Sequence, residues 1–368
     1  MANFAKISFG IATTVLLTYS SLTLAQTSLS NADASASSNS IAANANQLAV
    51  QKAKALNAKG EFEKATSILG SADKTPEVYG SLVINLAQFD LDEAEDIANE
   101  SIKAFPNNAR LHYLRGVVMG SQAQSSIFSA LGYAEKSLNS FQKAVELDQE
   151  EITYKRALMS FYLAAPSIAG GDEDLGKAQL DAIKMVDPLQ GVYAEYAFFQ
   201  MTDEPEKALA LLQNSVQTYP QEISLVFRLG VYYSQQEDYD KAMPYFMQAS
   251  EMPSPALLRD PDTGDLEASY RRNIEAKLSA LYQVGRTAVV TEKNTAKGIA
   301  AMGALQAATE SSQLSPESIP NMNWAMARLS ELYIQAGDKS AAKATLASVK
   351  VGEDKDLKKQ VKRLKKML

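Results

Sequence analysis

The sequence holds one histidine, His112, and no cysteine. A lone histidine cannot build a multi-histidine metal site. Without thiols there is no cysteine nucleophile, disulfide, iron–sulfur cluster or cysteine-based zinc site. No Ser-His-Asp arrangement is supported by the spacing around His112, so nucleophilic acyl transfer has no candidate. Gly170-Gly171 lacks the Lys-Ser/Thr pair that completes a phosphate loop; it reads as a turn whose Asp172 or Asp174 caps the next helix. Asp260-Pro-Asp-Thr-Gly-Asp265 has a passing likeness to a calcium loop, but its glycine falls one place early and the closing acid is missing. Acidic pairs such as Glu93 with Glu95 and Glu204 with Glu206 fit solvated helix faces. The chemistry left to this chain is binding, and no catalytic residue, metal or cofactor is assigned.

The elements that would carry such binding have ample chain to draw on. The 368 residues are 46% hydrophobic and 21% charged, enough for one large or two ordinary domains and too apolar for a disordered chain. A formal charge of −7 argues against a nucleic-acid surface. The charge is unevenly spread: residues 357–368 hold six basic side chains and no acidic one, which leaves residues 26–356 at −14.

Lys6 precedes an uncharged run from Ile7 to Leu24, followed by Ala25-Gln26. A short basic start, an apolar middle and small residues at Thr23 and Ala25 predict a secretory signal peptide over residues 1–25, cleaved after Ala25. The run is about long enough to span a bilayer, but Ser8, Thr13, Thr14, Thr18, Tyr19, Ser20, Ser21 and Thr23 make it too polar for a retained anchor. No cysteine follows the cut, so a lipid anchor is not expected. Residues 26–46 are rich in Ser, Ala and Asn and predict a flexible leader.

Ile223 to Pro253 carries Leu229, Gly230 and Tyr233, then Tyr239, Ala242, Phe246 and Ala249 before the proline. These spacings resemble the tetratricopeptide repeat, a 34-residue pair of antiparallel helices. Ala208 to Ala242, Tyr193 to Phe227 and Tyr79 to Tyr113 are each 34 residues apart, and Leu329, Tyr333, Gly337 and Ala342 fit the same frame. In such a unit Gly230 and Ala242 let the paired helices approach, while Leu229, Tyr233 and Phe246 fill the seam. The resemblance covers about residues 47–350. Insertions at 120–136, 165–176 and 253–267 depart from it; the Ala165-Pro166…Gly170-Gly171-Asp172 and Tyr282-Gln-Val-Gly-Arg286 stretches look like those of some bacterial members.

The resemblance implies an all-α, right-handed α-solenoid of about eight helix pairs, from about Asn46–Ala72 to Pro320–Val349. Residues 351–368 would add a basic amphipathic capping helix. It implies a packing role for His112. It also implies a concave groove lined by Tyr79, Tyr113, Lys155, Tyr193 and Phe227 at the fifth position of successive first helices, with Trp324 nearby at the second position of the last pair. Rings at this spacing either anchor a partner or pack between neighbouring first helices. Together with the signal peptide, this describes a non-enzymatic periplasmic scaffold that binds an extended peptide or helix, in envelope assembly or export. The alternative is a periplasmic small-ligand binder that uses the inserted loops as pocket walls. The partner is a protein or peptide, with no nucleic acid and no stable membrane insertion after signal cleavage. The basic C-terminal helix offers weak contact to an acidic partner or to lipid heads, beside the plain role of a solvated cap.

Overall fold

The computed structural model describes residues 35–125, 128–259 and 266–368; the expected signal peptide and the Asp260–Asp265 stretch lie outside them. Among the described residues the regular structure is helical, with one isolated antiparallel bridge between Arg259 and Leu266. These residues divide into two compact units, the first ending at Pro205 and the second beginning at Glu206.

The first unit holds α1 (Ser35–Asn57), α2 (Phe62–Gly70), α3 (Pro76–Leu86), α4 (Leu91–Ala104), α5 (Ala109–Ser125), α6 (Ala130–Leu147), α7 (Ile152–Ala164), α8 (Glu173–Val186) and α9 (Pro188–Met201). In the second are α10 (Pro205–Thr218, at the boundary), α11 (Ile223–Gln235), α12 (Tyr239–Glu251), α13 (Ala268–Thr291), α14 (Thr295–Ser312), α15 (Met322–Gln335), α16 (Lys339–Ala347) and α17 (Lys355–Lys365). Aspartates start many of these helices. Asp90, Asp172, Asp238, Asp338 and Asp354 each accept a hydrogen bond from the N–H three residues on, satisfying a donor that the first turn leaves open.

Close approach within a pair depends on a missing side chain. A Cβ at Gly116 would lie 2.6 Å from the Phe141 ring, and one at Gly230 would lie 2.7 Å from Phe246. Gly285 makes the same seam with Met302. The Ser137 hydroxyl tightens the α5–α6 pair by donating to the Gly116 carbonyl at 2.7 Å. First helices also stack directly: α3 on α5, α7 on α9, α11 on α13, and α13 on α15. In the second unit a continuous core joins Phe246 of α12, Leu278 and Val284 of α13, Met302 of α14 and Leu332 of α15.

The insertions are absorbed in different ways. The first lengthens α5 and α6 to 17 and 18 residues, which explains why Phe141 comes late in sequence yet meets Gly116. A second forms a 3₁₀ turn at Ser167–Ala169, left through Gly170 at φ 91° and closed by the Asp172 cap. Residues 35–46 of the stretch read as a leader are helical, within α1. Alanine has the highest helix propensity, so a helix anchored by buried Ala53 extends upstream at little cost.

Candidate functional site: inner faces of the first helices

The six expected groove residues fall in both units and differ in what they offer to solvent. Tyr79 on α3 is only 3% exposed; its hydroxyl donates to Glu100 Oε1 at 2.5 Å and its ring meets the edge of Phe105. Lys155 on α7 is 5% exposed, with its ammonium donating to the Gln149 carbonyl. Tyr193 on α9 is also buried. Tyr113 on α5 is half-buried, its ring 5.2 Å from Tyr154 on the next first helix and 6.1 Å from Phe141 on its own partner. In the first unit, therefore, Tyr79, Lys155 and Tyr193 are largely covered and form no open stripe, and the Lys155 ammonium is engaged by the Gln149 carbonyl at the edge of a cleft. A side chain at this position lies between its own second helix and the neighbouring first helix, so large rings are covered from both sides.

Burial leaves a mark on the phenols. Burial pushes Tyr113 up to about 12, with the nearby Glu151 carboxylate adding to the shift and Arg110 opposing it. The neutral phenol is thus favoured in the folded state. Its contribution to stability is complete below the ordinary tyrosine range near 10 and is lost as pH rises from there through about 12. Alkaline denaturation should accordingly steepen above about pH 10, and Tyr113→Phe should flatten that slope; an unchanged pH–stability curve for the variant would contradict this.

The second unit is arranged differently. Phe227 on α11 is half-buried against Phe246, 5.8 Å between ring centroids. Trp324 on α15 is half-buried, and its indole N–H donates to Asp354 Oδ2 at 2.8 Å. Between the two lies Tyr282 of α13, which the sequence reading did not place on this face. The Arg328 guanidinium sits 5.6 Å from the Tyr282 ring centre and 5.4 Å from that of Trp324, and its Nε donates to the Tyr282 hydroxyl at 2.9 Å. Arg286, one turn on from Tyr282, donates to Gln283 Oε1. Among the described residues neither arginine has a carboxylate within ion-pair distance. A usable signal was present: Tyr282 stands three residues before Gly285, as Tyr113 does before Gly116 and Phe227 before Gly230.

His112 is partly buried, and its Nε2 lies 2.8 Å from the Pro106 carbonyl, which gives the ring a structural partner. Two open clefts stand out elsewhere. One, of about 630 Å³, lies between α12 and α14 and is lined by Met243, Met247 and Met252. Another, of about 560 Å³, lies over α7 between the ends of α6 and α8. Among the described residues, neither has a residue of 165–176 or 253–259 in its wall. Among the described residues no helix is long and apolar enough to cross a membrane, and no group of three His, Cys, Asp or Glu side chains is placed to hold a metal ion.

Paired helices with glycine seams and stacked first helices define a helical-repeat protein. The tetratricopeptide repeat family profile matches residues 122–151 and 223–254, so the chain carries repeats of this type over those two stretches. Among solved structures, yeast Tom70 aligns at 15% identity with a TM-score of 0.52, covering 98% of this chain and 69% of its own. A thermophilic tetratricopeptide-repeat protein of Thermus thermophilus aligns at 15% identity and a TM-score of 0.41, over 51% of this chain and 98% of its own. These likenesses bear on the fold alone. Comparison with curated protein sequences finds no match.

Proposed function

We propose that the protein is a non-enzymatic interaction scaffold, and that the inner face of α11, α13 and α15 holds an extended peptide or a helix from a protein partner. The observation that carries this reading is Arg328, a cation held between the rings of Tyr282 and Trp324 with no carboxylate among the described residues to neutralise it. Rigid aromatic side chains give large contact at low entropic cost, and an arginine among them suits an acidic group on the partner. Selection from a random peptide display library against the full chain tests it. Enriched sequences should combine acidic and apolar residues, and Arg328→Gln should weaken the best of them by about 2 kcal/mol, roughly thirty-fold in Kd. Enrichment of basic peptides, or binding indifferent to the substitution, would argue against this face.

The compartment belongs to the same proposal. Lys6, the apolar run to Leu24 and the Thr23/Ala25 pair support export to the periplasm and a role in envelope assembly or export. The protein recovered from cells should begin at Gln26 in terminal sequencing; an intact Met1 in the membrane fraction would count against it.

A further inference from the structure

The helix α17 carries two chemistries on opposite sides. Leu357, Val361 and Leu364 are buried, packed in one core with Ala327 and Leu346. The other side bears Lys358, Lys359, Lys362, Lys365 and Lys366, all exposed and none in an ion pair among the described residues. Arg363 is the exception: its guanidinium donates to the Glu331 carboxylate, which also accepts from Gln360 Nε2 at 2.7 Å.

This division of labour is informative. Guanidinium and ammonium groups both bind phosphates, the first as a fork and the second as a point charge, so what matters is which cations are left unpaired. Here the arginine serves the internal carboxylate and the unpaired cations are lysines. Helix electrostatics account for only part of the set. Basic groups favour the last turn, where Lys362 and Lys365 stand, but Lys358 and Lys359 lie towards the opposite, positive end of the dipole. The dipole gives these two no support, because its favourable effect on cations is confined to the last turn. Residues 26–356 carry −14 in sum, so an anionic surface would repel the rest of the chain and attract this one face.

We infer that the lysine face of α17 docks the protein on an anionic phospholipid surface. The apolar side of α17 stays in the core, so contact is electrostatic, without insertion, and weakens as salt screens it. This surface shares no residue with the peptide-binding face, and either reading can fail alone.

Co-sedimentation of the full chain with vesicles tests the inference. Phosphatidylcholine vesicles serve as reference, and phosphatidylcholine mixed with phosphatidylglycerol provides the anionic surface. Binding should be stronger to the mixed vesicles, fall at high salt, and drop by about five-fold for each lysine of the five changed to Gln. The matching Lys→Arg variant should restore it, and an unchanged melt shows that α17 remains folded. Equal binding to both vesicle types, or no loss in the Gln variants, would overturn the proposal. So would capture by soluble poly-glutamate with none by the mixed vesicles, which would identify an acidic protein as the partner.

Discussion

Replacing Phe246 with alanine is expected to cost the second unit about 3–5 kcal/mol. The ring is fully buried and fills the space above Gly230, while Phe227 leans on it from the inner face. Its removal opens a cavity at the junction of α11, α12 and α13, where rigid helices cannot collapse to fill the void. The converse change, Gly230→Leu, forces side-chain atoms into the same ring and should cost about 1–3 kcal/mol. Because repeat units take most of their stability from nearest neighbours, denaturant melts should be followed by probes in each unit separately. Loss confined to probes beyond Glu206 is the expected pattern; no loss from either variant would mean that Gly230 and Phe246 do not form the seam.

The second large effect is on binding. Tyr282→Ala and Arg328→Ala should each weaken peptide capture by about 2 kcal/mol, roughly thirty-fold. They touch through a 2.9 Å hydrogen bond and a ring–cation contact, so the double variant should lose less than the sum. Tyr113→Ala, in the first unit, serves as the contrast: its ring packs on Tyr154 and Phe141, so it should lower stability and leave capture unchanged. A capture defect for Tyr113→Ala as large as that for Tyr282→Ala would place the binding role on the Tyr79, Tyr113 and Tyr193 positions instead.

Much of the architecture is legible in the chain because close packing imposes fixed spacing. Gly230 and Phe246 meet as the repeat spacing demands, whereas Gly116 and Phe141 stand nine residues further apart and meet because α5 and α6 are longer. Asp172 as a helix cap is legible for the same local reason. The division at Pro205/Glu206 is not, since the 34-residue period from Tyr193 to Phe227 runs across it without a change in composition. Periodicity also places Tyr79 and Tyr193 at the inner position without revealing that neighbouring helices cover them. Conversely, Tyr282 follows a long insertion that breaks the count from Phe227, and only its offset from Gly285 restores the frame. Arg328 owes its role to two rings from different helices, a juxtaposition that no single segment encodes.

The proposed partner lies on the inner face of α11, α13 and α15. Photo-crosslinking from a reactive side chain placed at Tyr282, compared with the same group at Gln248 in the outer cleft between α12 and α14, tests it most directly. With an acidic, apolar peptide selected on the full chain, crosslinks should form from position 282 and be abolished by unlabelled peptide, while position 248 stays silent. Crosslinks from position 248 alone would place the partner on the second helices and contradict the account.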